Sequence, residues 1–236
     1  MAYYWTRQAY RPISVSLSYG KLHYEIGERF EASLFAHSVQ DHDIEVSVHV
    51  LSAEGRVLLE ETYAGRADNR MSVPIGTLAF ELTENDRGLF FVRLTVNRRE
   101  EEQTLYAFST QKQEPYRPAL QLSGGSLRIE DAGSWIRSGD TPFPMVSKTF
   151  IVRNAGNQAL LHVYPVEVTN HYWMEVEGGY ITLFPGESRT IVVMCAEKQA
   201  GGFLAHDRGG NNEQVGNPQI EFRWFNYSTS KFLRLH

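Results

Sequence analysis

The sequence contains a single cysteine, Cys195, among its 236 residues, so the chain cannot form an internal disulfide bond. Cys195 ends the apolar run TIVVMC (190 to 195), a setting typical of a small buried hydrophobic residue. A reactive thiol needs an exposed and electropositive neighbourhood, which this run does not provide. We therefore expect Cys195 to be a core residue rather than a nucleophile.

Excess positive charge and long hydrophobic runs are also lacking. Lysine and arginine number 23 against 28 aspartates and glutamates, a net charge of -5, so no nucleic-acid partner is expected. No apolar run approaches the length of a membrane span, and the N-terminus does not have the basic and then apolar layout of a secretory signal. We expect no membrane partner; the compartment stays open, because an export signal could lie on a further part of the protein.

Sequence motifs of catalysis and cofactor binding are missing as well. There is no G-x-S-x-G, G-x-x-x-x-G-K-[ST] or G-x-G-x-x-G motif. The neighbouring carboxylates Glu60 and Glu61 would point to opposite faces of a strand, so they could not converge on one glycosidic bond. Histidine and aspartate lie together at 41 to 43 and at 206 to 207, without the spacing of a zinc site. We expect no catalytic residue, no cofactor and no metal site.

A two-residue alternation of apolar and polar side chains dominates the first half of the chain. It is clearest in ISVSLSY (13 to 19) and IEVSVHV (44 to 50). About eight runs of strand length recur at about ten-residue spacing, which predicts an antiparallel β-sandwich over 12 to 109. The predicted strands lie at 13 to 19, 22 to 26, 30 to 36, 44 to 50, 56 to 63, 76 to 82, 89 to 96 and 103 to 109.

Residues 110 to 118, TQKQEPYRP, interrupt the alternation with polar residues and two prolines, which favours a short linker. Beyond it the alternation restarts, and a second sandwich is predicted over 119 to 236. The predicted strands lie at 126 to 130, 148 to 156, 159 to 168, 180 to 195 and 219 to 227. The fold class is therefore all-β, with two tandem immunoglobulin-like antiparallel β-sandwiches.

Aromatic side chains in the second half are the candidates for ligand contact, because an aromatic ring can stack on the C–H face of a sugar. These candidates are Trp135, Tyr172, Trp173 and Trp224. Core packing is the competing interpretation, because large aromatics fill the interior of a sandwich. The polar segment 204 to 217 is predicted to be a surface loop, and its candidate rim residues are His206, Asp207, Arg208 and Asn211.

The opening residues carry a resemblance to a known family. The stretch YYWTRQAYRPISVSLSY resembles the junction in glycoside hydrolase family 2 enzymes, especially the β-mannosidase and exo-β-glucosaminidase branch. In that junction the last helix of the catalytic (β/α)-barrel passes into a β-sandwich. The matching residues are Tyr3, Tyr4, Arg7, Ala9, Tyr10, Pro12, Val15 and Ser16, while Gln8 stands near a position where a basic residue is common. The resemblance implies a short helix over 1 to 11, the end of a barrel whose other parts this chain lacks.

Two further segments, TFIVRNAGNQAL and YITLFPGESRTIVV, are similar to the C-terminal immunoglobulin-like domain of the same enzymes, with its N-x-G turn and L-x-PGE turn. The resemblance implies a parent enzyme that hydrolyses β-linked sugars with retention, using two glutamates of the barrel. No catalytic residue can be carried over, and the implied partner is the parent's own barrel. Met1 directly before the helix suggests a chain cut just upstream of the sandwiches, with a natural start as the alternative.

Three functions follow as hypotheses. The first is a non-catalytic accessory region that supports the barrel and the rim of its cleft. The second is a carbohydrate-binding module that acts through the aromatic residues or the polar loop. The third is an adhesion or scaffold protein of immunoglobulin-like domains, which gives no reason for an aromatic helix at the start of the chain.

Overall fold

A computed structural model describes residues 11 to 68, 71 to 97, 103 to 112, 114, 116 to 138, 145 to 198 and 217 to 226. The chain divides into two compact units. The first unit comprises Met1–Gly125 with Asn157–Ala159, and the second comprises Ser126–Gly156 with Leu160–His236. The helix predicted over 1 to 11 lies outside the described residues except for its last position.

Within the first unit, the part of the chain that the structure describes forms seven antiparallel strands in two sheets. The three-stranded sheet has the order β1-β2-β5 and the four-stranded sheet has the order β4-β3-β6-β7. The strands are β1 Ile13–Tyr19, β2 Arg29–Ser38, β3 His42–Ser52, β4 Val57–Ala67, β5 Ser72–Glu81, β6 Leu89–Val96 and β7 Thr104–Ser109.

The alternating apolar residues of both sheets point into one shared core, which makes this unit a sandwich. Strand β2 contributes Leu34 from the first sheet, and strand β3 contributes Val48 from the second. Aromatic rings fill one part of this core: Phe108 packs edge-on against Phe30 at 4.9 Å between ring centroids and stacks on Phe90 at 5.3 Å. The two-residue alternation therefore predicts correctly which side chains are buried.

The strand predicted over 22 to 26 is wrong. Only His23 makes a β-bridge, to Ser109, and the chain then turns at Gly27, whose φ is +84°. The carboxylate of Glu28 accepts a hydrogen bond of 2.8 Å from the backbone N–H of Glu25 and so closes this turn. A positive φ at glycine and a local side-chain acceptor favour a turn over a strand, despite the apolar alternation.

The segment predicted as a linker, 110 to 118, falls within the first compact unit. Its last two residues begin helix α1, Arg117–Gln121, with a proline in the first turn, where a missing N–H costs no helical hydrogen bond. Ala119 of this helix is buried. The residue boundaries 12 to 109 and 119 to 236 stay predictions.

In the second unit, the described residues form eight antiparallel strands. One sheet has the order β12-β14-β10-β8, with β9 paired to β10, and the other has the order β13-β11-β15. The strands are β8 Leu127–Asp131, β9 Ile136–Arg137, β10 Met145–Asn154, β11 Leu160–Glu167, β12 Tyr172–Glu177, β13 Ile181–Leu183, β14 Ser188–Glu197 and β15 Ile220–Arg223.

The core of the second unit again draws on both sheets, with Phe150 of β10 packed edge-on against Phe222 of β15 at 5.3 Å between centroids. Cys195 is buried in this core, as expected, and burial raises the pKa of its thiol to about 12. Both units are thus antiparallel sandwiches, and the prediction of an all-β fold is confirmed. Strand β12 was missed by the sequence analysis.

Candidate functional site

The two turn motifs singled out in the sequence meet in the second unit. The buried side chain of Asn154 donates a hydrogen bond of 2.9 Å from Nδ2 to the carbonyl of Leu183, and its Oδ1 accepts one of 2.9 Å from the N–H of Gly156. The backbone of Asn154 also donates to the carbonyl of Glu187 at 3.0 Å and accepts from Gly186 at 2.9 Å. The N-A-G turn and the F-P-G-E turn are therefore one hydrogen-bonded structure.

The carboxylate of Glu187 completes this junction by accepting a hydrogen bond of 2.9 Å from the N–H of Phe184. Every polar group named in the junction donates to or accepts from a backbone group, and the asparagine side chain is buried. Such an arrangement satisfies the buried backbone between two strands. The junction is a structural element rather than a site for a ligand.

The four candidate aromatic residues have different environments. Tyr172 is buried in the core, and burial followed by the charge of Glu197 raises the pKa of its hydroxyl. Trp135 and Trp224 are half-buried and pack against the core. Trp173 alone among the four is exposed, with 70% of its surface accessible to solvent. Trp173 therefore offers the largest exposed ring among the four, and sugar contact by any of them stays a prediction.

The strand register brings three of the four to the same end of the sandwich. Tyr172 pairs with Glu197 at the end of β14, and Trp173 follows it on β12. Trp135 directly precedes β9 and lies near Lys148, whose Nζ is 5.8 Å from the centroid of the indole. Trp224 follows β15, whose last residue, Arg223, pairs with Tyr164 in the middle of β11.

The indole of Trp173 is flanked by polar groups that the sequence analysis did not identify. The ammonium of Lys198 lies 4.9 Å from its ring centroid and donates a hydrogen bond to the side-chain oxygen of Asn170. The backbone N–H of Lys198 donates to the carbonyl of His171 at 2.8 Å. Asn170 has a φ of +60°, in the left-handed region that asparagine tolerates better than most residues. The turn before β12 therefore holds the lysine beside the indole.

Among the described strands, β12 lies at the edge of its sheet, and its outward face carries carboxylates beside Trp173. Trp173, Glu175 and Glu177 alternate with the inward-facing residues and are all exposed. In the neighbouring strand, Ala196 lies beside Trp173 and Met194 lies beside Glu175. This face thus combines one exposed indole, the neighbouring apolar side chains of Ala196 and Met194, and two acidic groups. The alternation in YWMEVE would have placed these three side chains together, had the segment been recognised as a strand.

The candidate rim residues His206, Asp207, Arg208 and Asn211 lie outside the described residues, so their role stays a prediction. Among the residues that the structure does describe, no group of three or more histidine, cysteine, aspartate or glutamate side chains could hold a metal ion. No helix in the same part of the chain is long and apolar enough to cross a membrane.

An open depression of about 450 Å³ lies on the first unit, where the chain turns after β1. Its charged side chains pair with one another: Lys21 with Glu28, and Lys112 with Glu25 at 3.4 Å. His23 also lines it. Surface ion pairs of this kind contribute little binding energy of their own, because water screens them. The depression is therefore a weaker candidate than the face around Trp173.

Comparisons with solved structures find similar folds at low sequence identity. The exo-chitosanase CsxA of Amycolatopsis orientalis matches 99% of this chain with a TM-score of 0.63 and 12% identity. A complex of the same enzyme with PNP-β-D-glucosamine gives a TM-score of 0.64. The β-D-mannosidase of Dictyoglomus thermophilum matches 81% of this chain with a TM-score of 0.55 and 15% identity. At such identities the likeness establishes the fold alone.

This chain spans only part of those proteins, 27% of the exo-chitosanase and 20% of the β-mannosidase. No protein-family model matches the sequence, and no curated protein is similar to it at a significant level. The similarity to those proteins is therefore seen in the structure and not in the sequence searches.

Proposed function

We propose that this chain is a non-catalytic accessory region of a glycoside hydrolase related to family 2, with two immunoglobulin-like sandwiches that support a catalytic barrel and the rim of its cleft. The observation that carries the proposal is the match of 99% of this chain to 27% of the length of an exo-chitosanase. The β-mannosidase supports it with a match to 81% of the chain. The partner in this proposal is the barrel of the same polypeptide.

The finer specificity rests on the resemblance of the opening residues and the two turn motifs. In the structure these N-A-G and F-P-G-E turns are joined to each other through buried hydrogen bonds at Asn154. We place the parent in the branch of β-mannosidases and exo-β-glucosaminidases. The sugar that the parent accepts would be chosen by its barrel.

The direct test of the non-catalytic role uses the isolated chain. We expect no release of nitrophenol from the nitrophenyl β-mannoside, β-glucosaminide and β-galactoside during long incubation at high protein concentration. Hydrolysis at the rate of an enzyme, retained after repeated purification, would overturn the proposal. A mock purification from cells without the gene serves as the control for host glycosidases.

The test of the parent is the reading frame upstream of residue 1. A continuous frame of several hundred codons with a (β/α)-barrel pattern would support the accessory role, and a stop codon in that frame would contradict it. Co-expression of that barrel with this chain should then give a complex that survives gel filtration.

A further inference from the structure

Strand β14 is apolar on both of its faces. Its residues 191 to 196 read IVVMCA, without the alternation that marks a strand with one face in water. Three of these residues face the core of the second unit, namely Ile191, Val193 and Cys195. Val192 and Met194 face the other way, are half-buried, and are not among the described residues of that core. A continuous apolar run is typical of a strand whose sheet is covered on both sides.

The apolar surface continues onto the neighbouring strands β10 and β9. Ile151 of β10 is half-buried and faces the same side as Val192, because Thr149, two residues before it, pairs with Val192. Ile136 of β9 is 69% exposed and pairs with Ser147, which in turn pairs with Met194. We call this side of the sheet the outer face; its apolar residues are Val192, Met194, Ile151 and Ile136. Exposed apolar surface rimmed by polar residues marks an interaction site.

Opposite charges lie at two separate places on the outer face. Glu175 of β12 is exposed and pairs in register with Met194. Arg153 of β10 pairs with Arg128 of β8, and both arginines are exposed. Like charges directly opposite each other on neighbouring strands destabilise a sheet. Neither arginine forms an ion pair with a carboxylate in the part of the chain that the structure describes. A carboxylate from outside would relieve the repulsion between them.

The strand register fixes the spacing of these charges. Glu175 and Arg153 lie two strands apart, about 10 Å, and six residues apart along the strands, about 20 Å. Their midpoint lies on β14 beside Val192. A two-fold axis through this point, in the plane of an interface, brings Glu175 of each copy over Arg153 of the other. The same rotation brings Ile151 of one copy against Val192 of the other.

We propose that the outer face binds a second copy of this chain in a two-fold dimer, with Ile151 and Val192 at its centre and two Glu175–Arg153 ion pairs at its ends. A two-fold interface must be complementary to itself, and a face with both charges on one chain meets this requirement. The proposal goes beyond the accessory role, and it needs neither a barrel nor a sugar. The glycosidase assay and the test of the dimer can therefore fail independently.

The size of the outer face predicts a weak dimer. The face is about 14 Å wide across four strands and about 27 Å long, a flat footprint of about 400 Å² in each copy. Such an area lies at the low end of specific interfaces, where association is reversible. Sedimentation equilibrium of the full chain between about 5 and 500 μM should show monomer and dimer, with a dissociation constant on the order of 10–100 μM. Raising the salt from about 50 to about 500 mM should weaken the dimer at least about 3-fold.

A substitution at the centre tests the apolar contact. Val192→Glu places two carboxylates beside the two-fold axis and should raise the dissociation constant at least about 30-fold. Val168→Glu is the matched control, because Val168 is exposed and follows β11 in the other sheet. Its dissociation constant should stay within about 2-fold of that of the unaltered chain.

Charge reversal tests the two-fold arrangement. Glu175→Arg and Arg153→Glu should each raise the dissociation constant at least about 10-fold, because like charges then meet across the interface. An equimolar mixture of the two variants should dimerise again, since both contacts of the mixed dimer join opposite charges. Sedimentation velocity with a fluorescent label on one variant measures this mixed dimer. Glu54→Arg, at an exposed position of the first unit, is the control and should leave dimerisation unchanged.

Three results would overturn the proposal. The first is a chain that stays monomeric up to about 500 μM, which would leave the outer face to another occupant, such as the barrel. The second is a Val192→Glu variant that dimerises like the unaltered chain. The third is a mixture of the two charge variants that forms no dimer, although the circular dichroism spectrum of each matches the unaltered chain. None of the three substituted residues is among the described residues of the core, so folding should be retained.

Discussion

Replacing Asn154 by alanine tests whether the turn junction holds the second sandwich together. The side chain is fully buried and joins the carbonyl of Leu183 to the N–H of Gly156 through two hydrogen bonds of 2.9 Å. Leu183 is fully buried too, so its carbonyl would lose a partner without gaining water. An unsatisfied buried group costs about 1–3 kcal/mol, and the second bond is worth about 0.5–1.5 kcal/mol. We expect Asn154→Ala to lower the free energy of unfolding by about 2–4 kcal/mol.

Tryptophan fluorescence during urea unfolding is the suitable assay, because three of the four tryptophans, Trp135, Trp173 and Trp224, belong to the second unit. The midpoint should fall while the slope stays constant. Asn217→Ala, at an exposed position, is the matched control and should change stability by less than about 0.5 kcal/mol. A loss below about 0.5 kcal/mol for Asn154→Ala would refute the argument that the junction is stabilising.

Asn154→Asp separates the two hydrogen bonds. An aspartate can still accept from the N–H of Gly156, but its ionised form cannot donate to the carbonyl of Leu183. Burial beside a carbonyl would raise the pKa of this carboxyl in the folded state. Its stability is therefore greatest below the pKa of the unfolded chain, about 3.9, and decreases as the pH rises through the folded pKa. A variant whose stability relative to the unaltered chain did not depend on pH between about 4 and 7 would contradict this assignment.

Three further predictions concern close packing and burial. Gly76→Ala should destabilise the first unit by about 1–3 kcal/mol, because a Cβ there would lie 2.3 Å from the ring of Tyr63. Thermal unfolding followed by circular dichroism would measure this loss of stability. Gly178→Ala should lower the free energy of unfolding of the second unit by about 2 kcal/mol or more. The φ of Gly178 is +76°, and a Cβ there would lie 2.6 Å from the carbonyl oxygen of Thr190. Urea unfolding followed by tryptophan fluorescence measures this loss of stability. Cys195 should not react with a thiol reagent at about pH 8 until the protein unfolds, because its thiol is buried and has a pKa of about 12. Rapid labelling of the folded chain would contradict this prediction.

The control for both glycine substitutions is Gly20→Ala. Gly20 has no positive φ, and a Cβ built on it would meet nothing within 4 Å. Its substitution should therefore leave stability nearly unchanged or raise it slightly, because alanine restricts the unfolded chain. If Gly20→Ala were as damaging as Gly76→Ala, the close contact with Tyr63 would not be the cause.

Local sequence predicted this fold well where one face of a strand is buried. The alternation in 13 to 19 and 44 to 50 reports directly which side chains face the core, because successive residues of a strand point to opposite sides. The same rule failed at 22 to 26, where Gly27 and the carboxylate of Glu28 form a turn. It also missed β12, whose outward positions carry an indole and two glutamates instead of small polar residues.

The sequence by itself determined the class of the fold, the burial of Cys195 and the turn chemistry of the N-A-G and P-G-E segments, since these depend on residues close together in the chain. Only the tertiary structure decided that the two turns share one buried asparagine, because Asn154 and Leu183 meet through the pairing of distant strands. Likewise, composition could not separate the exposed Trp173 from the buried Tyr172 beside it. Adjacent residues of a strand face opposite ways, and only the packing of the second sheet determines which of the two meets water.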